Sequence, residues 1–212
     1  MKKLLTAIAI AASFPAVALA EDAGKIKGVI SAAYMTGDAD IKLAGTTYDA
    51  DLSGTSLSGH FYPAEMVYVS ASITSQEMDV LGVTIDGDTK SFGGGLVFGD
   101  RVDYRTGEGS EQRLGFDWTD VEVSLGNVKS SEDYVDIEYA VEAGLGDGVT
   151  GGFYFSTDTD DIFSDNSYSF ALYKSLGGGL LIGGEYGFSK SVTDSNNSTE
   201  TSGIVIGVGY AF

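Results

Sequence analysis

The last ten residues of the chain, GIVIGVGYAF, alternate between large and small side chains. Every second residue from Ile204 to Phe212 is a bulky apolar or aromatic residue, and the residues between them are valine, glycine or alanine. Successive side chains of a strand point to opposite faces, so this pattern predicts a β-strand with one bulky and one small face. Because chain termini normally fray and carry small or polar residues, we expect this last strand to be held against another strand.

The same two-residue period recurs along most of the chain. It is clearest in six runs: 67–74, 91–98, 113–118, 121–125, 135–142 and 180–188. Turn signals separate the runs, namely YPAEM (62–66), DGDT (86–89), TD (119–120), GLGDG (144–148) and SLGGG (175–179). Three longer polar stretches, 36–50, 156–166 and 189–200, are expected to be loops. Tight turns at one end and long polar loops at the other favour an antiparallel up-and-down meander.

The polar face of these strands indicates which solvent each face meets. In the run from Val135 to Glu142 one face is apolar, whereas the other carries Asp136, Glu138 and Glu142. Charged positions do not form the core of a β-sandwich, whose inward side chains are uniformly bulky. A closed barrel in a bilayer places the charged face in a wet lumen and the apolar face in lipid, and closure leaves no unpaired backbone groups in hydrocarbon. A soluble β protein with an apolar last strand is the alternative.

The first twenty residues have the three parts of a secretory signal peptide. Lys2 and Lys3 precede an apolar run that ends near Val17, and Ala18-Leu19-Ala20 forms a small-residue cleavage site. We therefore expect residues 1–20 to be a cleaved signal peptide and residues 21–212 to be one barrel domain. An uncleaved anchor is the alternative, but Pro15 interrupts a run that is too short to span a bilayer.

Composition excludes several classes of function. The chain has no cysteine, which excludes disulfides, thiol chemistry and a lipid anchor on cysteine. Without the signal peptide, ten basic residues stand against 31 acidic ones. Nucleic acid is therefore not an expected partner, because binding to phosphates requires lysine and arginine.

An exported chain of amphipathic strands that ends on an aromatic residue resembles the β-barrels of Gram-negative outer membranes and, more loosely, porins. In that family the terminal strand is the signal read by the barrel-assembly machinery, with aromatic residues at the last and third-last positions. Phe212 and Tyr210 match these two positions. The resemblance implies an outer-membrane location, and it implies lipid, lipopolysaccharide, periplasmic chaperones and the assembly machinery as partners. No motif indicates a subfamily.

The predicted fold is an all-β transmembrane barrel of about twelve strands, with ten or eight as alternatives. An even count returns both termini to the periplasm, as bacterial barrels require. The count depends most on region 75–110, where residues 88–98 and 101–107 are interpreted as two strands with a break at 99–100. Alternatively, VLGVTI (80–85) is a separate hairpin arm and residues 99–110 are a loop; both interpretations give twelve strands.

Charged residues on the polar face are the candidate pore lining. Basic residues concentrate at 101–113 and acids at 117–142, so we expect two opposed charged walls and an acid excess that favours cations. The candidates are Arg101, Arg105, Arg113, Asp117, Glu122, Asp136, Glu138, Glu142 and Glu185. The alternative is a plug, because in a narrow barrel arginine–carboxylate pairs fill the interior. Passive passage of small hydrophilic solutes or ions is the expected function, and a plugged structural or surface-interaction barrel is the alternative.

The sequence does not favour an enzyme or a metalloprotein. His60 is the single histidine, and we expect it inside the barrel near the periplasmic end. No nucleophile elbow, zinc-protease or P-loop motif is present. Asp158, Asp160, Asp161 and Asp165 lack the glycine and closing glutamate of an EF-hand loop. We therefore expect no catalytic residues, metal or cofactor, and a solvated acidic loop, with weak divalent-ion bridging to lipopolysaccharide as the alternative.

Overall fold

The computed structural model describes residues 28–159 and 165–212, which form one closed antiparallel β-barrel of ten strands. Each strand pairs with its neighbours in sequence, and the last strand pairs with the first. The strands are β1 Gly28–Leu43, β2 Thr46–Ala64, β3 Val67–Val80, β4 Val83–Asp103, β5 Glu108–Leu125, β6 Val128–Gly146, β7 Val149–Asp158, β8 Asn166–Gly177, β9 Leu180–Asp194 and β10 Asn197–Ala211. Within the described ranges no helix is long and apolar enough to cross a bilayer. The predicted signal peptide, residues 1–20, lies outside the described residues.

The first and last strands close the barrel, as the alternation at the C-terminus predicted. Pairing of β1 with β10 runs without interruption from Val29 opposite Ala211 to Lys42 opposite Ser198. Two backbone hydrogen bonds continue this pairing beyond β10: Gly28 donates to the carbonyl of Phe212 at 3.1 Å, and Phe212 donates to the carbonyl of Gly28 at 3.0 Å. The C-terminus is therefore held. We call the end of the barrel that contains Gly28 and Phe212 the terminal end.

The predicted count of twelve strands was wrong; ten, an alternative, is the observed number. The two additional strands arose because two continuous strands were each divided in two. The TD dipeptide at 119–120 lies inside β5, and the break placed at 99–100 lies inside β4. At the second position Gly99 has a φ of 89°, and the register shifts between Asp100 and Asp103. This is a β-bulge, which bends a strand without ending it.

Two of the predicted polar loops are also strand. Stretch 36–50 contains the ends of β1 and β2, which are joined by a turn at 44–45, and stretch 189–200 contains those of β9 and β10. The DGDT signal at 86–89 lies within β4, and the turn that joins β3 to β4 is Leu81-Gly82. Of the third stretch, 156–166, residues 160–164 lie outside the described residues.

A belt of apolar side chains surrounds the outside of the barrel. Phe92, Phe116, Phe170 and Ile206 are each about 60% exposed. Such a belt is an aggregation hazard in water but is matched to a bilayer. The prediction that the apolar face points outward is confirmed.

The outer face changes from apolar to polar at one row of residues across three strands, β4, β5 and β6. Phe92, Trp118 and Val135 are direct cross-strand neighbours in the apolar belt. Two residues further from the terminal end, Lys90, Asp120 and Asp133 are likewise neighbours, and beyond them the outer face is polar.

On the inner face, apolar residues appear beyond the same row. The inward positions beyond this row include Met78 and Val80 on β3, Val83 and Ile85 on β4, Val121, Val123 and Leu125 on β5, and Val128 on β6. The polarity of the strands is thus reversed past the belt on β5 and at the ends of β3, β4 and β6, whereas Thr89, Ser130 and Glu132 are polar residues on the inward face.

Candidate functional site

A buried charged cluster occupies the terminal half of the lumen. Glu111 on β5 and Glu142 on β6 are direct cross-strand partners, and two like charges in that position repel each other. Arg113 lies between them: Nη1 is 2.8 Å from Glu111 Oε1, and Nη2 is 3.1 Å from Glu142 Oε1. All three side chains are at most 5% exposed. The guanidinium therefore neutralises a carboxylate pair that would otherwise be strongly destabilising in this environment.

Three tyrosines complete the hydrogen bonding of this cluster. Tyr62 donates to Glu111 at 2.5 Å, and its hydroxyl accepts a hydrogen bond from Arg113 at 3.1 Å. Tyr104 and Tyr154 both donate to Glu142. We call these six residues, Tyr62, Tyr104, Glu111, Arg113, Glu142 and Tyr154, the plug. Every carboxylate in the plug has both a cation and a phenol as partners, as buried charges require.

A second, apolar layer closes the lumen on the terminal side of the plug. The β4 bulge turns Val102 and Tyr104 inward, where both are buried and pack against Leu181 and Ala211 from the opposite wall. The Val102 amide also donates to Glu111 Oε2 at 3.1 Å, which joins the two layers. The β4–β5 turn is held against the end of β6, because the Gly146 amide donates to the carbonyl of Gly107 at 2.9 Å. The side chains at the end of β4 therefore reach across the lumen to β9 and β10.

Two glycines make room for the inward side chains above the plug. A Cβ on Gly93 would collide with the Asp117 carboxylate, and one on Gly115 would collide with the Tyr68 hydroxyl. Asp117 accepts a hydrogen bond from Ser70 at 2.8 Å, and Tyr68 donates to Glu138 at 3.3 Å. Glycine at these positions lets two polar side chains lie flat against the lumen wall.

On the side of the plug away from the terminal end, the lumen holds a polar cavity of about 630 Å³. Its lower boundary includes Arg113, Glu142 and Tyr154. Its walls carry serine hydroxyls and four further carboxylates, those of Asp117, Asp136, Glu138 and Glu185. It extends to Leu52 and Gln76, at the level where the outer face becomes polar. Most of the cavity therefore lies on the side of the plug away from the termini, and a part of it reaches Leu181 and Val29 beside the apolar layer.

Six of the nine predicted lining residues point into the lumen. They fall into two groups: Arg113 and Glu142 in the plug, and Asp117, Asp136, Glu138 and Glu185 on the cavity wall. The predicted opposed walls of charge do not form, because Arg113 is enclosed by carboxylates from its own strand and the next.

The other three predicted lining residues were placed wrongly. Arg101 lies at the terminal rim, 4.4 Å from the Tyr62 ring centroid, and donates to the Ala64 carbonyl at 2.5 Å. Arg105 belongs to the β4–β5 turn and pairs with Asp103 at 3.5 Å. Both errors follow from the β4 bulge, which gives the inward positions to Val102 and Tyr104.

Glu122 lies on the outer face of β5. The strand continues through Thr119 and Asp120 without a turn, so Glu122 shares the face of Trp118. Beyond the apolar belt it accepts a hydrogen bond from Lys129, and this bond raises the pKa of Lys129 above its ordinary value.

Sequence reasoning missed four members of the plug: Tyr62, Tyr104, Glu111 and Tyr154. Glu111 had an available signal, because it has the same parity as Arg113 in an alternating run. The tyrosines had none, since the contact of Tyr62 with Glu111 and those of Tyr104 and Tyr154 with Glu142 depend on the barrel register. His60 points inward as predicted, its ring 5.3 Å from that of Tyr62, and its Nε2 is buried without a hydrogen-bond partner among the described residues. No group of three or more potential metal ligands was found within residues 28–159 and 165–212.

Comparisons with known proteins give likeness of fold only. No family model and no curated protein sequence matches this chain. Solved outer-membrane structures resemble it at low identity. The translocator domain of the autotransporter NalP from Neisseria meningitidis is 9% identical with a TM-score of 0.49, covering 100% of this chain and 94% of that one. An outer membrane channel from Pseudomonas putida F1 is 8% identical with a TM-score of 0.46, covering 90% and 97%. Ail, the attachment invasion locus protein of Yersinia pestis, is 15% identical with a TM-score of 0.39, covering 89% and 100%.

The chain has the fold of an outer-membrane β-barrel. This rests on the closed ten-stranded sheet, the outward apolar belt and the aromatic residues that end the closing strand. Bacterial barrels keep both termini in the periplasm, so the terminal end is periplasmic and the reversed-polarity part is extracellular. The plug therefore lies near the periplasmic end of the barrel, and most of the cavity lies on its extracellular side.

Proposed function

We propose that this protein is a surface-facing barrel with a closed lumen, and that its extracellular cavity serves binding at the cell surface. The observation that carries the proposal is the buried plug at Arg113. Water and ions need a continuous wet path to cross a barrel, and two layers of buried side chains interrupt that path here. The proposal includes no catalytic step.

The energetics of the plug support a closed resting state. Moving Arg113 aside would leave Glu111 and Glu142 buried and facing each other, and breaking a buried charge pair costs about 3–5 kcal/mol. A barrier of that size keeps the open state below about 1% of the population. The apolar layer of Val102, Tyr104, Leu181 and Ala211 adds to this barrier.

Single-channel recording in planar bilayers tests the proposal. The wild-type barrel is expected to be silent at protein loads at which a general porin conducts steadily. An Arg113→Ser, Tyr104→Ala double variant removes a side chain from each layer and is expected to conduct. Heat-modifiable migration on a gel establishes that both barrels are folded. Steady wild-type channels equal to those of the double variant would refute the closed lumen.

Passive passage of small hydrophilic solutes or ions is the second candidate function. One observation favours it: the lumen wall of β9 and β10 carries small side chains, and the cavity extends along that wall to Gly209 and Leu181. A path beside the plug would pass the wall acids Asp117, Asp136 and Glu185 and would prefer cations. Under this candidate the wild-type barrel gives steady currents, and their reversal potential in a KCl gradient reports cation preference.

A further inference from the structure

In the extracellular part of the barrel, the inner face of β4, β5 and β6 carries an apolar patch that is flanked by the inward residues Thr89, Ser130 and Glu132. Six inward residues on β4, β5 and β6 form a continuous group that we call the apolar vestibule: Val83, Ile85, Val121, Val123, Leu125 and Val128. Four of them are strongly exposed: Val83 49%, Val123 41%, Leu125 48% and Val128 71%. A clustered apolar surface of this kind in a part of the barrel that faces water marks a binding surface.

The vestibule continues directly into the polar cavity. Thr119 on the cavity wall is two residues before Val121 on the same face of β5. Gln76 on the cavity wall is likewise two residues before Met78 on the same face of β3. A molecule in the cavity therefore has its outer end against apolar side chains and its inner end among hydroxyls and carboxylates.

The charged residues of the cavity determine which charge the inner end of a bound molecule should carry. Of the described residues lining it, Arg113 is the single lysine or arginine, and its guanidinium is already shared by Glu111 and Glu142. Asp117, Asp136 and Glu138 lie together on β5 and β6, and Asp117 and Asp136 are direct cross-strand partners. Like charges in that arrangement are relieved by a cation between them. The cavity is thus complementary to a positively charged group.

We propose that the vestibule and cavity together bind an amphiphilic cation, a molecule with an ammonium head and an alkyl tail. The head lies in the cavity near Asp117 and Asp136, and the tail lies along Val121, Val123 and Leu125. A volume of about 630 Å³ falls within the usual range for small-molecule sites. This inference rests on the proposed binding function and specifies its ligand class.

Three probes of known structure separate the contributions of head and tail. The barrel in lipid nanodiscs is titrated calorimetrically with octyltrimethylammonium, octanoate and tetramethylammonium, and the signal of empty nanodiscs is subtracted. Octyltrimethylammonium is expected to bind, and octanoate to bind about tenfold weaker or worse because its carboxylate meets the wall acids. Tetramethylammonium lacks the tail and is also expected to bind about tenfold weaker or worse. Equal binding of octanoate and octyltrimethylammonium would overturn the proposal.

Matched variants on one strand locate the site. Val123→Asp places a charge in the vestibule, whereas Ser124→Asp places the same charge on the outer face one residue away. The first is expected to weaken octyltrimethylammonium binding about tenfold, through lost apolar contact, and the second to leave it unchanged. Val123→Thr and Asp136→Asn are the milder variants, each checked for folding by heat-modifiable migration, and both are expected to weaken binding. If Val123→Asp and Ser124→Asp bind alike, and neither milder variant weakens binding, the vestibule is not the site.

These outcomes are independent of the conductance result. A silent barrel that binds none of the three probes contradicts the amphiphile and leaves the closed lumen intact. A conducting barrel contradicts the closed lumen, whatever the titrations give.

Discussion

Arg113 is the residue on which the closed lumen depends most. It is enclosed by Glu111, Glu142 and the Tyr62 hydroxyl, and its guanidinium carbon lies 5.7 Å from the Tyr68 ring centroid. No other lysine or arginine among the described cavity-lining residues can replace it. Its removal leaves two carboxylates buried side by side without a cation.

Arg113→Met is therefore expected to be strongly destabilising. Breaking a buried ion pair costs about 3–5 kcal/mol, and we expect a loss of this size in the free energy of unfolding. Urea unfolding of the barrel in lipid vesicles, followed by tryptophan fluorescence, measures it.

Lys190→Met is the matched control. Lys190 forms its ion pair with Glu200 at 2.6 Å on the outer face, where both side chains are 43% exposed. Exposed pairs contribute about 0–1 kcal/mol, so little change is expected. Equal losses for the two variants would contradict the buried-cluster account.

At the scale of the strand, the reversal of polarity divides each long strand into two parts with different solvents. On β5 the outer positions are Leu114, Phe116 and Trp118 within the belt, then Asp120 and Glu122 beyond it. One strand therefore provides both a lipid-facing position and a water-facing position on the same side.

A charge introduced on this side should be costly only within the belt. Phe116→Arg is expected to lower the free energy of unfolding by roughly 2–4 kcal/mol, the cost of a lipid-facing arginine near the midplane. Ser124→Arg, on the same side above the belt, is expected to change it little. Urea unfolding in vesicles measures both, and similar losses would place the bilayer boundary elsewhere.

The closing strand carries the second prediction at this scale. Phe212→Ser removes the terminal aromatic residue that the sequence resemblance connects with the assembly machinery, next to the Gly28 hydrogen bonds. We expect several-fold less folded barrel in the outer-membrane fraction, measured by heat-modifiable migration.

Tyr186→Ser is the matched control for the closing strand. It removes a lipid-facing aromatic residue on β9, opposite Ile204 and away from the Gly28–Phe212 hydrogen bonds, and is expected to assemble normally. Loss of assembly in both variants would show a general need for lipid-facing aromatics.

The sequence predicted the faces of the strands better than their ends. Period-two alternation depends on local geometry, so the outward belt and the pairing of the last strand could be derived from the sequence alone. The pairs Thr119-Asp120 and Gly99-Asp100 have turn residues, but the first marks the exit from the bilayer and the second a bulge. Polar residues at a bilayer boundary have the same composition as a turn, and composition alone does not separate the two.

The plug could not be predicted from the sequence, because it depends on registers between strands. Glu111 meets Glu142 only when β5 and β6 pair in the observed register, and Tyr62 reaches both Glu111 and Arg113 from β2 across the lumen. A shift of one residue in that register would turn the inward side chains of a strand outward.

At the scale of the whole molecule, the proposed closed lumen makes the two ends of the barrel different. The plug and the apolar layer lie near the periplasmic end, whereas the extracellular extension of the strands leads into the cavity. A water-soluble reagent should therefore reach the cavity from the extracellular side and not from the periplasmic side.

The most direct test of this shape is labelling of a single cysteine in the cavity. The chain has no cysteine of its own, and Ser58 lies on the cavity wall, its hydroxyl 2.9 Å from that of Ser31. A Ser58→Cys variant is placed in vesicles with the extracellular face outward, and a membrane-impermeant maleimide is added outside or trapped inside. The account predicts rapid labelling from outside and none from inside. Equal labelling from both sides, or labelling from inside alone, would contradict it.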